Sequence, residues 1–128
     1  MRVLLAEGQA KVRRALHFFL KAQPGLTLVG ATSEMGSLLQ QIKAARPDVV
    51  LLDWELPDNR PTALLTLLRQ ANPTLWVISL SSQPDSRSAA LAAGANGFVC
   101  KGDPPQVLLA ALQDVKSSSD PSLQQFEK

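Results

Sequence analysis

The chain has 128 residues, enough for one domain, and its 45% apolar residues suffice for one core of Leu, Val and Ala, because aromatics make up only 5% and tyrosine is absent. A net charge of +2 is too small to argue for nucleic acid or any other charged partner, and the single cysteine, Cys100, excludes an internal disulfide. No apolar run approaches a membrane span and no secretory signal follows Met1-Arg2, so the expectation is a cytoplasmic domain without membrane contact.

Taken in order, Val3-Leu4-Leu5-Ala6 is an apolar run too short for a helix, so it predicts a buried strand ending at Glu7-Gly8. From Gln9 to about Lys21, Val12, Leu16, Phe19 and Leu20 fall on one helical face, and Pro24-Gly25 ends that helix. His17 lies inside it, far from any other candidate ligand, and reads as a surface residue. Residues 26–31 are less uniformly apolar and predict a strand at a sheet edge. Ser33 is placed to cap the next helix, whose apolar stripe is Leu38, Leu39 and Ile42, closed by Arg46-Pro47. Val49-Val50-Leu51-Leu52 has no polar alternation, as in a strand covered on both faces, and stops at Asp53. Pro57 forbids a helix directly afterwards, so a loop follows. Pro61 opens a helix buried through Leu64, Leu65, Leu67 and Leu68, and Asn72-Pro73 stops it. Residues 75–80 predict a strand ending at Ser81-Ser82, and residues 89–93 a small helix closed by Gly94. Gly97-Phe98-Val99-Cys100 is the last strand and ends at Lys101. Asp103-Pro104-Pro105 starts a final helix through Leu108, Leu109 and Leu112 to about Lys116, with Asp103 as its cap. Ser117-Ser118-Ser119-Asp120-Pro121 then opens a polar tail, so the division is a domain at 1–116 and a linker or tail at 117–128.

Strands alternating with helices predict an α/β fold: a parallel sheet with helices on both faces. The carboxyl ends of its strands share one rim, where open α/β sheets keep their sites. Glu7, Gly8, Asp53, Ser81 and Lys101 all fall there. Asp53 alone could merely begin a turn. Carboxylates, a hydroxyl and an amine from four strands serve no structural need, whereas together they suit acceptance of a phosphoryl group on a carboxylate. Lys101 would meet the incoming negative charge, Ser81 would donate a hydrogen bond, and Glu7 would help hold a hard divalent cation. A dinucleotide enzyme is disfavoured, since Glu7-Gly8-Gln9-Ala10 carries no Gly-x-Gly-x-x-Gly, and no P-loop exists. A phosphatase using Asp53 and Glu55 would need a cap region that a chain this short lacks. No segment has the basic face of a DNA-recognition helix, which argues against direct nucleic-acid binding.

The chain resembles a response-regulator receiver domain of two-component signalling, of the class that precedes a helix-turn-helix effector. The resemblance rests on Arg2-Val3-Leu4-Leu5-Ala6-Glu7, on the segment from Pro47 to Pro57, on Ile78-Ser79-Leu80-Ser81-Ser82, and on the run from Gly94 to Lys101. It implies a flavodoxin-like five-stranded sheet of order 2-1-3-4-5. It implies Asp53 as phosphoacceptor, Ser81 and Lys101 as phosphoryl-contacting residues, Phe98 at the switch-aromatic position, and a Mg²⁺ site from Glu7, Asp53 and the Glu55 backbone carbonyl. It also implies a sensor histidine kinase, an effector domain or protein and a possible homodimer as partners, and a role in transcription regulation rather than enzymatic activity. Ser86, Arg87, Asn96 and Gln106 would lie near the output face.

One position departs from the family pattern. Two adjacent acids usually follow the first strand, and here the pair is Glu7-Gly8. Two unit charges ~4 Å apart interact by about 4 kcal/mol at an effective dielectric near 20, so the missing carboxylate should weaken Mg²⁺, less the repulsion it relieves. Three readings stay open: phosphorylation at Asp53 with poorer metal dependence, an atypical receiver acting as a protein-interaction module, or substitution of the missing ligand by Glu55 or Asp58. Without the resemblance, Phe98 is an ordinary core aromatic and Cys100 a small buried strand residue.

Overall fold

The computed structural model describes residues 1–56 and 60–119. Five strands alternate with five helices: β1 Arg2–Ala6, α1 Ala10–Lys21, β2 Thr27–Thr32, α2 Met35–Ala45, β3 Val49–Asp53, α3 Pro61–Ala71, β4 Trp76–Ser81, α4 Ser86–Ala92, β5 Gly97–Cys100 and α5 Pro105–Ser119. The strands form one parallel sheet in the order β2-β1-β3-β4-β5. This is the flavodoxin-like arrangement expected from the alternation and the resemblance. The less apolar β2 occupies an edge, and every residue of the central β3 is buried.

Alternate residues of the strands feed two cores, because successive side chains point to opposite faces. Val3, Leu5, Val49, Leu51, Ile78, Leu80 and Val99 pack with Leu20 of α1 and Leu108, Leu112 and Val115 of α5. Leu4, Ala6, Val50, Leu52, Val77 and Phe98 pack with α2, α3 and α4 through Leu38, Ile42, Leu64, Leu65, Leu68 and Ala90. The β1–β2 register shifts between Val3 and Leu4, opposite Leu28 and Gly30. There a Cβ on Gly30 would stand 2.8 Å from Leu4 Cδ1, so only glycine fits without displacement.

Several local expectations need correction. Glu34, not Ser33, precedes α2, and no side-chain hydrogen bond caps it. Asp103 does not cap α5; its carboxylate accepts from the Cys100 N–H and closes the turn before the helix. Leu39 and Leu67 lie on exposed faces, because the stripes of α2 and α3 are narrower than the leucine runs suggest. α4 begins at Ser86, earlier than expected, and α5 continues to Ser119, past Lys116. Gly94 follows α4 at φ +114°, a conformation that L side chains rarely adopt. Pro57, Asp58 and the tail beyond Ser119 lie outside the described residues.

Candidate functional site

The ladder bonds continue past the strands and align their ends. The Glu7 N–H donates to the Thr32 carbonyl, the Trp54 N–H to that of Leu80, and the Lys101 N–H to that of Ser81. Three ionisable side chains thereby converge at one rim. Lys101 Nζ lies 2.8 Å from Asp53 Oδ1 and 3.0 Å from Glu7 Oε2. Both carboxylates are almost wholly removed from water, at 0% exposure for Glu7 and 1% for Asp53.

Main-chain donors complete the cluster. Asp53 Oδ2 accepts from the Gly8 N–H at 3.0 Å, and Oδ1 from the Glu55 N–H at 2.9 Å. Glu7 Oε2 accepts from the Gln9 N–H at 2.9 Å. Glu7 Oε1 is buried with no hydrogen-bond partner among the described residues. The two acids titrate in opposite directions. Burial pushes the Glu7 carboxyl above the usual range, and the neighbouring Asp53 charge adds to this, against the pull of the Gln9 N–H and Lys101. Burial acts the same way on Asp53, but Lys101 and the N–H groups of Gly8 and Glu55 outweigh it and hold Asp53 below the usual range. Burial would lower Lys101, yet the two carboxylates hold it above its ordinary value. The arrangement therefore presents Asp53 as an ionised oxygen nucleophile beside a fixed cation.

Ser81 is buried at the same rim. Its Oγ accepts from the Gln83 N–H at 2.9 Å and lies 3.3 Å from both Glu55 Oε2 and the Gln83 carbonyl. The Glu55 carboxylate is further held by the N–H and hydroxyl of Ser82. Phe98 is 8% exposed and belongs to the core under α4, with the Arg87 guanidinium 5.9 Å from its ring centroid. Asn96 is committed elsewhere, its Oδ1 accepting from the Val77 N–H and from Arg69.

The residues singled out from the sequence thus occupy one end of the sheet, with Asp53, Lys101 and Glu7 in direct contact. Ser82, Gln83 and Arg13 were not anticipated. Arg13 donates to the Glu7 carbonyl at 2.9 Å. A polar pair after a buried strand hinted at Ser82, whereas the Arg13 contact has no sequence signal. For a metal, the oxygen donors are right in kind: two hard carboxylates, one with an orphaned buried oxygen. They are short in number, since no group of three or more His, Cys, Asp or Glu able to hold a metal exists among the described residues.

Comparison with known proteins gives a consistent picture. Residues 3–113 match the response regulator receiver domain family. The chain is 34% identical to the DNA-binding transcriptional activator DevR/DosR of Mycobacterium tuberculosis over 117 residues, covering 90% of this chain and 54% of that protein. It is 33% identical over 104 residues to a protein-glutamate methylesterase/protein-glutamine glutaminase of Xanthomonas campestris, covering 79% of this chain and 29% of that one. The signal receiver domain of the response regulator NarL from Mycobacterium tuberculosis superposes with a TM-score of 0.79 at 26% identity, covering 90% of this chain and 95% of that one. The chain spans about half the length of the transcriptional regulator it matches.

Proposed function

The chain belongs to the response regulator receiver domain family of two-component signalling, and from that membership we propose that it accepts a phosphoryl group on Asp53 and relays that state to an effector. The observation that carries the proposal is the contact of Lys101 Nζ with Asp53 Oδ1 at 2.8 Å, with the Asp53 carboxylate itself almost wholly removed from water. An Asp53 carboxylate oxygen attacks the phosphorus of the donor. The bond to the donor's leaving atom breaks with its electron pair, and an acyl phosphate remains. Lys101 holds the nucleophile ionised and meets the phosphoryl charge, and Ser81 donates to a phosphoryl oxygen.

Receiver domains of this family generally bind Mg²⁺ at the phosphorylation site. In this chain Glu7, Asp53 and the Glu55 backbone carbonyl would hold it. When bound, the ion supplies further neutralisation of phosphoryl charge. We propose that its affinity is weakened, because Gly8 offers only a backbone N–H to the cluster. A second reading draws on the same observation: an atypical receiver, with weakened or no Mg²⁺-dependent phosphorylation, that acts as a protein-interaction module. Substitution of the missing ligand by Glu55 is disfavoured by its engagement with Ser81 and Ser82. Asp58, the other substitute, is outside the described residues.

Receiver domains of this family pair with histidine kinases and effector domains. For this chain a sensor histidine kinase in the cytoplasm, an effector in transcription regulation and a second copy are the proposed partners. Neither direct contact with nucleic acid nor enzymatic activity of its own is assigned to it. Among the described residues, no helix is long and apolar enough to cross a membrane. The receiver unit is residues 1–116, and the polar segment 117–128 serves as tail or connection. Phe98 takes the switch position beneath Arg87.

The test is incubation of the purified chain with acetyl phosphate, with and without Mg²⁺, read by intact mass and by hydroxylamine lability. An adduct lost in Asp53→Asn supports the proposal. No adduct in either condition leaves the interaction-module reading.

A further inference from the structure

Glu55 touches the site twice. Its N–H donates to Asp53 Oδ1 at 2.9 Å, while its carboxylate spans the gap to the end of β4. There the Ser82 N–H lies 3.0 Å from Oε1 and 3.2 Å from Oε2, and the Ser82 hydroxyl adds a further bond. The Ser81 hydroxyl stands 3.3 Å from Oε2 and equally far from the Gln83 carbonyl. A hydroxyl has one proton to donate. In this arrangement the proton serves Glu55 or Gln83. It reaches a phosphoryl oxygen on Asp53 only after leaving both.

We infer that Glu55 is a positioning residue that competes with the phosphoryl group for the Ser81 hydroxyl and pins Ser81-Ser82-Gln83 in the unphosphorylated arrangement. The inference rests on the reading of Asp53 as phosphoacceptor and adds a regulator of that same site. Its physical basis is a set of hydrogen bonds to an ionised acceptor, which are stronger than neutral ones. The Lys101 N–H bonds the Ser81 carbonyl at 2.9 Å, so movement of this segment is felt at the end of β5 as well.

The experiment measures the rate of acyl-phosphate formation on Asp53 from acetyl phosphate at fixed Mg²⁺. Loss of one hydrogen bond to a charged group corresponds to about tenfold or more in rate, so Glu55→Ala should be phosphorylated at least about tenfold faster than the unsubstituted chain. Glu55→Gln, which keeps an acceptor and the side chain's size, and Ser82→Ala, which removes an exposed partner, should each give a smaller gain. In a Ser81→Ala background, Glu55→Ala should add nothing, because the hydroxyl through which it acts is gone. Equal rates in the unsubstituted chain and both Glu55 variants overturn the inference. So does a gain that persists without Ser81, which would assign the effect to repulsion of the donor. Phosphorylation of Glu55→Ala where the unsubstituted chain is inert supports it. Absence of acyl phosphate from every variant removes the phosphoacceptor reading itself, and this inference with it.

Discussion

Glu7 and Asp53 leave water almost completely, and one ammonium serves both. Breaking a buried pair strands the remaining charge, which costs about 3–5 kcal/mol. Lys101→Ala should therefore lower the unfolding free energy by about that amount at neutral pH, measured by urea denaturation. Adding Glu7→Gln to Lys101→Ala should recover part of the loss, because one of the two stranded anions disappears. The pH dependence has a defined sign. Asp53, held below its ordinary value, contributes stability that is present above that value and is lost as pH falls through the lowered one. Glu7, held above its ordinary value, contributes stability that is full below that value and is lost as pH rises through the raised one. Without Lys101 the cation that lowers Asp53 is gone, so both acids should behave as Glu7 does. The gap between Lys101→Ala and the unsubstituted chain should then narrow as pH falls from 7 toward the ordinary carboxylate range near pH about 4, because the two stranded acids of the variant take up their protons above that range. A gap constant from pH 7 to pH 4 would contradict this account of the cluster.

The strands were legible in the sequence because their signal is local: a short apolar run with no alternation has few alternatives to a covered parallel strand. The rim followed from them, since parallel strands share one carboxyl end, and the family resemblance supplied the order of the sheet. Helix ends were less legible. Ser33 and Asp103 have the chemistry of caps, yet the helices start at Met35 and Pro105, and Thr32 Oγ1 accepts the Glu34 N–H instead. Leu39 and Leu67 show that composition does not say how wide a stripe the sheet can cover. The Glu55–Ser82 contact was illegible because it joins two loops whose approach depends on the β3–β4 register. Two element ends invite tests. Arg46 ends α2 at φ +48°, in the left-handed region that favours glycine. Arg46→Gly should raise stability by about 0.5–1 kcal/mol, visible as a higher urea midpoint at unchanged slope. Gly30 faces the Leu4 side chain at the register shift, with Gln41 Oε1 only 2.6 Å from a would-be Cβ. Gln41 can swing aside, whereas Leu4 is buried in the core, so Gly30→Ala should cost about 1–3 kcal/mol in the same measurement.

At the scale of the whole molecule, the site exists only when β1, β3 and β5 are assembled in one sheet, with β4 between the last two, since Glu7, Asp53 and Lys101 come from sequence positions far apart. Anything that binds there binds the folded chain and not the unfolded one, so occupancy must appear as global stability. The local acid count therefore sets a trade between empty and loaded states. With Gly8 in place, one ammonium faces two carboxylates, so the empty site carries at most one excess negative charge. A third carboxylate would overload the empty rim and strengthen a divalent cation on it. Gly8→Asp should accordingly unfold at lower temperature than the unsubstituted chain when Mg²⁺ is absent. Saturating Mg²⁺ should raise its midpoint much more, since a ligand at about 100 times its dissociation constant stabilises by about 2.7 kcal/mol. The unsubstituted chain at the same Mg²⁺ concentration should move little. Thermal unfolding of both proteins with and without Mg²⁺ reads all four states. Equal Mg²⁺ shifts in the two would mean that Gly8 does not limit the metal, and that the two carboxylates already present suffice.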